Sequence, residues 1–430
     1  MARDVAEEIV AYNRPLVAAN RVQSEDGRDL TAEALRRKLD ALAATPFRFF
    51  RGTFHLMARD LLEGRVPGAA AAAPDAFIVG DLHLENFGVY RGASGELSFD
   101  VNDFDDVGFG PADVDVKRLC TSAFLLPGLG QAPRLAAARA IARGWADAVE
   151  RIGGRFPVAP YTDQAEGLCK ELLAEKGKRT QHELIAKFAP DKGHTRLLDG
   201  SPAAAARMAR VGRAWQLAAQ KSFDEYVASL RQLKAELPGG WQVLDAVYRF
   251  RGTGSLGRLR FWLLVEREGE QGEGRHIVEI KEARPSALDE ARGLPPPPQR
   301  ARVQTAAIRR MQGDPWPRVA GTHLGKAPAL GREIQPEEEK VESDRFAAGQ
   351  GDPGHAQLLS YAAQCGEVIG RMHCRASAPL LLDADWKPQE AARAAVEFAA
   401  KYAEQVEADQ QAFIRRREAV ANALGLSGTT

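Results

Sequence analysis

The alternation of apolar and polar residues divides the chain into long helical regions and one strand-rich region. Apolar residues recur at intervals of three and four over residues 113–234, which predicts an almost continuous series of helices there. The same spacing returns at 357–375 and 389–423. Between these regions, three segments alternate apolar and polar residues as strands do: 243–250, 258–265 and 276–280. The pattern therefore predicts an α+β protein in which helices flank a smaller β-rich unit.

Shorter patterns fill in the remaining elements. Near the N-terminal end they predict helices at 32–43 and 54–63, an aromatic turn at 45–52 and a strand at 76–79. Strand patterns at 87–90 and 97–101 flank a Gly/Ser-rich turn, which predicts a β-hairpin. After the strand-rich region we expect a stiff proline linker, a helix, further strand and a solvated charged loop, at 295–298, 300–311, 320–334 and 335–344. These changes of pattern predict three units: a helical lobe at 1–240, a β-rich lobe at 241–345, and C-terminal helices at 346–430 that complete the helical lobe.

Charge and composition narrow the class of protein. Lys plus Arg and Asp plus Glu are equal at 58 each, so no net field draws the chain to nucleic acid or to a membrane surface. Residues 1–8 lack the apolar segment of a signal peptide, and no apolar run approaches the length needed to span a bilayer. The four cysteines lack metal-ligand spacing, which favours reduced thiols. We therefore expect a cytoplasmic protein without nucleic-acid or membrane partners, and a protein partner is left open.

The most specific chemical signal is a group of carboxylates and amides in the first quarter of the chain. Asp81 and Asn86 have the D-x-x-x-x-N spacing of a kinase catalytic loop, in which the Asp orients a hydroxyl and the Asn holds Mg²⁺. Asp103 follows the second strand of the predicted hairpin, so the hairpin folds it back beside Asn86. Two oxygen ligands can then share one metal ion, which predicts phosphoryl transfer.

A glycine-rich segment supplies a second signal. A dinucleotide-binding turn requires a helix immediately after a G-x-G-x-x-G sequence, but here a strand pattern follows at 258–265. A kinase glycine-rich loop instead joins two strands above the phosphates, and the next strand carries a lysine, here Lys281. With this lysine, the residues expected to contact a nucleotide are Gly252, Thr253, Gly254, Ser255 and Gly257.

The two signals occur in an unexpected order. In an ordinary kinase the glycine-rich lobe comes first, whereas here Asp81 precedes Gly252 by a whole lobe of helix. Circular permutation explains this order, because compact domains tolerate it where their termini lie close together. Residues 358–375 fit the explanation, since they resemble the helix that precedes the catalytic loop in aminoglycoside and choline kinases.

Two families share these motifs. Residues 78–86 resemble the H-G-D-x-H-x-x-N motif of the aminoglycoside phosphotransferase family, with Val79 at the position of the first His. Residues 102–106 are similar to the metal-binding I-D-F-D-D of that family. The whole chain also resembles an uncharacterised bacterial family, the domain of unknown function 2252, in its G-D-x-H-x-x-N-F-G, N-D-F-D and G-x-G-S-x-G motifs. The resemblance implies a protein-kinase-like fold of two lobes.

The resemblance also implies roles for single residues, with ATP and Mg²⁺ as cofactors. Asp81 would orient or deprotonate the acceptor hydroxyl, and His83 would reach the acceptor or the metal, or serve as a hydrogen-bonded loop residue. Asn86 and Asp103 would coordinate Mg²⁺, and Asp105 would bind a second metal or lie beside the first.

Three supporting residues carry further expectations. Asp115 is expected to steady the catalytic loop through backbone hydrogen bonds, and His373 to be a hydrogen-bonded core residue. Kinases usually hold the strand lysine with a Glu from the next helix, but the predicted helix 300–311 has none. Lys281 therefore needs another partner, for which Gln304 and Glu282 are the candidates.

Three functions remain open. The leading one is an ATP- and Mg²⁺-dependent phosphotransferase with an unidentified acceptor, most simply a small molecule. A nucleotide-binding pseudokinase, or nucleotidyl transfer to a protein hydroxyl, uses the same parts. A metal-dependent phosphoesterase is suggested by the G-D-x-H at 80–83. Such enzymes need further metal-ligand motifs downstream, and the only similar sequence is the polar segment at 351–355.

Overall fold

The structure is a computed structural model, and it describes most of the chain. The described residues are 3–19, 21–153, 155, 158–162, 164–190, 196–197, 206–235, 240–268, 274–297, 299–346, 351–377 and 385–426. Gly239 and Pro298, which we expect to end the helical region and the proline linker, lie outside the described residues. Among the described residues, no helix combines the length and the apolar character that crossing a membrane requires.

Helices make up most of the fold. The N-terminal group consists of α1 (Val5–Ala19), α2 (Leu30–Ala44), α3 (Pro46–Gly52) and α4 (Phe54–Glu63). The central group consists of α5 (Asp113–Phe124), α6 (Gln131–Ile152), α7 (Gly167–Lys176), α8 (Gln181–Phe188), α9 (Arg213–Gln232), α10 (Ala287–Ala291) and α11 (Arg300–Met311). The C-terminal group consists of α12 (Gly351–Ala376) and α13 (Pro388–Ala423).

The described strands form one large antiparallel sheet and two small ones. β1 (Asp75–Ile78) pairs with β4 (Gly108–Pro111), and β2 (Phe87–Arg91) pairs with β3 (Leu97–Val101) and with β11 (Glu339–Lys340). The large sheet has the order β5-β6-β7-β8-β10-β9. Its strands are β5 (Met208–Arg210), β6 (Trp241–Arg249), β7 (Arg260–Arg267), β8 (Arg275–Glu282), β9 (Val319–Leu324) and β10 (Ala327–Ile334). The chain is therefore an α+β protein, as the periodicity predicts.

The N-terminal and C-terminal helices share one hydrophobic core. Helix α12 packs along α6, and α13 packs against α1, α5 and α6. Apolar residues recur along α13 at helical spacing, and Tyr402, Val406 and Phe413 are buried in this core. The C-terminal helices thus share a core with α1, α5 and α6. The division of the chain at residues 240 and 345 stays a prediction.

The two faces of the large sheet have different environments. On β8, Val278 and Ile280 point to the face that packs against α9, because side chains alternate along a strand. Contact is close there: a Cβ added at Gly331 would lie 2.4 Å from Tyr226 of α9. The opposite face carries Glu279 and Lys281 and borders a large cleft. The alternation along β8 therefore delivers Lys281 to the cleft.

Several predicted elements have different outcomes in the structure. The aromatic segment 45–52 is not a turn but contains the helix α3, because Thr45 accepts a hydrogen bond from Arg48 N and Pro46 starts the helix. The series of helices at 113–234 is interrupted by β5, whose three residues pair with β6. Segment 320–334 is a hairpin rather than one strand, and it turns at Gly325, which has a left-handed φ of 64°.

Candidate active site

Hydrogen bonds to a buried carboxylate, that of Asp115, hold the backbone of the loop that carries Asp81. Val79 N and Gly80 N donate hydrogen bonds of 2.8 Å each to the two carboxylate oxygens of Asp115. The His373 ring contacts Asp115 Oδ2 at 3.0 Å, and both side chains are fully buried. The expected structural roles of Asp115 and His373 are therefore confirmed, and Gly80, with φ of 83°, allows the turn that presents Asp81.

Asp81 is paired with a buried arginine. Arg118 Nε and Nη2 donate to Asp81 Oδ1 at 3.0 and 2.5 Å, and Arg118 Nη2 also donates to Phe50 O at 2.7 Å. The Asp81 side chain is 20% exposed, and that of Arg118 is fully buried. Burial raises the pKa of Asp81 to about 6, although the Arg118 guanidinium opposes the rise. Asp81 can therefore exchange a proton near neutral pH. Arg118 belongs to the sequence Asp-Val-Lys-Arg-Leu at 115–119, whose pattern does not reveal this contact.

His83 and Asn86 stabilise the loop itself. His83 Nε2 lies 3.0 Å from Arg51 Nε, and Arg51 also forms an ion pair with Glu85. Burial, with Arg51 as the next cause, lowers the pKa of His83 well below its usual value, so the ring is neutral. Asn86 Oδ1 accepts a hydrogen bond of 2.8 Å from His83 N, and Asn86 is buried. The Asn86 oxygen predicted to bind metal thus has a backbone partner in the loop.

The hairpin of β2 and β3 brings the second acidic segment back to this loop. Phe87 pairs with Val101, and Asn102 N donates a hydrogen bond of 2.8 Å to Asn86 O. Asn102 is 5% exposed and borders the cleft, and neither of its amide atoms has a hydrogen-bond partner among the described residues. A buried amide without partners is costly, so Asn102 is a candidate ligand-binding residue that sequence reasoning missed.

Lys281 meets the acidic segment across the cleft. Its Nζ forms an ion pair with Asp105 Oδ2 and lies 3.9 Å from Asp103 Oδ1. The expectation that Gln304 or Glu282 holds Lys281 is wrong. Gln304 Nε2 donates to Phe104 O at 2.8 Å, and Glu282 Oε2 accepts from Leu259 N at 3.0 Å. The carboxylates of the hairpin reach Lys281 from the opposite side of the cleft, where no sequence pattern locates them.

The pKa values of the two hairpin carboxylates, Asp103 and Asp105, are shifted in opposite directions. Burial by itself raises the pKa of Asp103, but Lys281 and Lys340 outweigh it and hold this pKa well below its usual range. Lys340 Nζ lies 3.9 Å from Asp103 Oδ2. Burial and the neighbouring Asp103 raise the pKa of Asp105. Asp103 is therefore a permanently ionised oxygen donor at neutral pH.

Lys340 belongs to a segment whose prediction was wrong. Residues 335–344 were expected to form a solvated loop, but β11 pairs with β2 through Glu339 with Val89 and Lys340 with Gly88. Glu85 anchors the end of this segment, because its carboxylate accepts hydrogen bonds from Ser343 N and Ser343 Oγ at 3.0 and 2.7 Å. Pairing of two residues leaves no local pattern in the sequence, and it places Lys340 on the wall of the cleft.

The glycine-rich segment lies directly over Asp81. Its chain coils tightly, because Ser255 N and Leu256 N donate to Gly252 O at 3.1 and 3.0 Å. A Cβ added at Gly254 would lie 3.2 Å from Asp81 Oδ2. The space between the segment and Asp81 is about 30 Å³, and it is bordered by His83, Asp103, Asp105, Thr253 and Ser255. Gly252 and Gly257 have left-handed φ angles of 80° and 92°, which explains glycine at both ends of the coil. The segment is thus a tightly coiled turn that joins β6 and β7, and because these strands pair with each other the expected strand–loop–strand hairpin is confirmed.

Lys38 of α2 holds the glycine-rich segment from behind. Its Nζ donates to Gly254 O at 3.2 Å and to Asn13 Oδ1 at 2.9 Å, and Lys38 is fully buried. Burial lowers the pKa of Lys38 to about 7, and Arg258 and Arg284 lower it further. Nothing in the spacing of α2 marks this lysine, because its contact depends on a segment more than 200 residues away.

The cleft between the sheet and the acidic hairpin has a volume of about 890 Å³ and is rich in cations. This volume suits a nucleotide-sized ligand. Its charged lining includes both carboxylates of the hairpin. The cations on its wall are Arg37, Arg48, Arg51, Arg179, Lys187, Arg207, Arg249, Arg251, Arg260, Lys281, Arg332 and Lys340. Among the described residues, no three His, Cys, Asp or Glu side chains cluster to hold a metal ion by themselves.

Comparison with known protein families shows the family to which the chain belongs. The model of an uncharacterised protein family conserved in bacteria, the domain of unknown function 2252, matches residues 30–416. The chain belongs to this family. No curated protein and no solved structure matches it significantly. The family match spans the Asp81 loop, the acidic hairpin and Lys281, so all residues that line the cleft lie within the matched part of the chain.

Proposed function

We propose that this member of the 2252 family is an ATP- and Mg²⁺-dependent phosphotransferase with a circularly permuted, protein-kinase-like fold. The observation that carries the proposal is the contact between Lys281 and the acidic hairpin. Lys281 comes from the large sheet, and Asp103 and Asp105 come from a hairpin that precedes it by more than 170 residues. These are the groups that hold the phosphates and the metal in kinases.

The residues present fit a magnesium ion. The Lys281 ammonium lies beside oxygens of both Asp103 and Asp105, so a cation already occupies the space between the two carboxylates. Hard oxygen donors are what Mg²⁺ prefers, and it usually takes one or two carboxylates together with phosphate oxygens and water. Bound Mg²⁺ would neutralise the negative charge on the transferring phosphoryl group. The amide of Asn102, which has no partner among the described residues, is a further oxygen donor beside this site.

Asp81 supplies the group that handles the acceptor proton. In the proposed reaction the acceptor oxygen forms a bond to the γ-phosphorus, the bond to the leaving ADP oxygen breaks, and the hydroxyl proton passes to Asp81. A base with a pKa of about 6 suits this role. Arg118 fixes the orientation of Asp81, and the glycine-rich segment must move away from it to admit an acceptor.

The covered position of Asp81 favours one alternative, a pseudokinase that binds nucleotide without transferring phosphate. The cavity between Asp81 and the glycine-rich segment has a volume of only about 30 Å³. Nucleotidyl transfer to a protein hydroxyl would use the same residues. The phosphoesterase alternative gains no support, because residues 351–355 begin helix α12 rather than a polar loop, and His355 is exposed.

Titration calorimetry with ATP and Mg²⁺ tests the proposal. We expect binding that requires Mg²⁺ and weakens by at least about tenfold in Asp103→Ala and Lys281→Ala, since each change removes a charge-assisted contact. Lys221→Ala, an exposed lysine on α9, is the matched control. Absence of nucleotide binding by the wild type would refute the proposal. ATP turnover that Asp81→Asn abolishes would then separate an active kinase from a pseudokinase.

A further inference from the structure

A row of cations crosses the cleft face of the large sheet. Arg260 on β7 pairs directly with Lys281 on β8, and Tyr248 on β6 pairs with Phe261 on β7. The next residue on β6, Arg249, therefore lies beside Arg260 on the same face. Because neighbouring strands are about 4.8 Å apart, Arg249 begins about 10 Å from the strand of Lys281. Arg249 is therefore two strands away from Lys281, outside the proposed nucleotide site.

Arg249 is buried there and forms no ion pair with any of the described residues. It is 4% exposed, and its Nε has no hydrogen-bond partner among the described residues. Its guanidinium lies over the ring of Trp262 at 4.0 Å and near that of Phe188 at 5.8 Å. Burial, then Arg251 and Arg260, lower the pKa of Arg249 to about 9. Burying an unpaired charge destabilises the folded protein, and an anionic ligand bound to Arg249 would offset that cost.

Two further arginines flank Arg249. The chain pairing of β5 and β6 places Arg207 beside it, with Arg249 Nη1 at 3.5 Å from Arg207 O and Phe250 N bonded to the same oxygen at 2.9 Å. Arg251 follows two residues later and also borders the cleft. Within the described part of the chain, none of these three arginines forms an ion pair with a carboxylate. Two carboxylates act on these arginines electrostatically, but both are held by other cations: Glu279 by Arg260 and Arg332 at 2.7 and 3.3 Å, and Glu338 by Arg332 at 2.6 Å.

We propose that Arg207, Arg249 and Arg251 form a binding site for a phosphate group of the acceptor, separate from the nucleotide phosphates at Lys281. Three guanidiniums match the geometry and charge of a phosphate monoester, because each can donate two parallel hydrogen bonds to its oxygens. The assignment of the phosphate to an acceptor rests on the proposed phosphotransferase function. The cleft then holds two anionic molecules, and a phosphorylated small molecule is the acceptor class that it selects.

Calorimetric titration of inorganic phosphate into the full-length protein tests the site without any nucleotide. Arg207→Gln and Arg251→Gln change exposed side chains, so they should leave folding intact. We expect each to weaken phosphate binding by at least about tenfold. Arg393→Gln, an exposed arginine on α13, should leave binding unchanged. Absence of phosphate binding by the wild type, or equal binding by all variants, would overturn the site.

A second titration distinguishes the two sources of phosphate. Phosphate is titrated again in the presence of Mg²⁺ and a saturating non-hydrolysable ATP analogue. Retained phosphate affinity would support a separate acceptor site. Competition would show that phosphates of the nucleotide occupy the arginines, and it would overturn the acceptor assignment while leaving nucleotide binding intact. A protein that binds phosphate but no nucleotide would keep the arginine site and refute the phosphotransferase function instead.

Discussion

Replacing Asp81 with asparagine should stabilise the protein while abolishing the proposed phosphotransferase activity. Burial holds the folded-state pKa of Asp81 at about 6, compared with 3.8 for an ordinary Asp. This difference corresponds to about 3 kcal/mol of free energy that ionised Asp81 costs the folded state at neutral pH. Asparagine is close in shape to a protonated Asp, and its amide oxygen can still accept from Arg118. The cost should therefore disappear without leaving Arg118 unpaired.

The pH dependence of this effect follows from its sign. Because the folded pKa lies above the unfolded one, the cost is fully present above about pH 6 and is absent below about pH 4. Asp81→Asn should thus gain up to about 3 kcal/mol in the free energy of unfolding at pH 7. The gain should shrink steadily as the pH is lowered through about 6.

Urea unfolding, followed by the fluorescence of the six tryptophans, measures this difference at several pH values. The matched control is Asp224→Asn on the exposed side of α9, which should change the free energy of unfolding by less than about 0.5 kcal/mol at every pH. A destabilised Asp81→Asn protein at pH 7, or a difference that does not vary with pH, would refute the reasoning. Either result would mean that the pairing with Arg118 outweighs the cost of burial.

Two other lysines lead to further expectations. Burial lowers the pKa of Lys340 to about 8, although Asp103 opposes this, so the cleft loses a positive charge between about pH 7 and pH 9. Affinity for the ATP anion at saturating Mg²⁺ should therefore fall over this interval in the wild type but not in Lys340→Met. Calorimetry at each pH measures this, and parallel profiles would contradict it. Lys38 has a folded pKa of about 7 against 10.5 when unfolded, so the folded state binds fewer protons across this interval and the free energy of unfolding should rise with pH. Lys38→Met should lose that rise in urea titrations, and an unchanged slope would show that Lys38 is not buried as described.

Local patterns predicted the elements that are long or bounded by clear signals. Helices α4 and α11 and strand β3 begin and end where the spacing of apolar residues places them. The β2–β3 hairpin also forms as predicted, because two strand patterns flank a Gly/Ser turn and the pairing is local. This hairpin accounts for the correct expectation that the Asp103 segment returns to the Asp81 loop.

Contacts between distant segments could not be predicted in the same way. Strands β5 and β11 have three and two residues, and each pairs with a strand that is distant in the sequence, β6 and β2 respectively. Arg118 lies in a helix whose residues are all buried, and nothing in its spacing singles out this side chain to pair with Asp81. The sequence shows that α11 has no Glu to hold Lys281, but it does not show that Asp105 takes this role from the opposite side of the cleft.

The electrostatics of the cleft divide its carboxylates into two chemical types. Asp81 faces one buried arginine and has a pKa near neutrality, so it can bind and release a proton at physiological pH. Asp103 faces Lys281 and Lys340, which lower its pKa, so it is ionised at physiological pH. A reaction that moves a proton and holds a cation in one site needs both types, because a single pKa cannot serve both tasks. Burial alone would raise the pKa values of both groups, so the two lysines around Asp103 create the difference. Loss of either lysine should therefore raise the pKa of Asp103 toward that of Asp81.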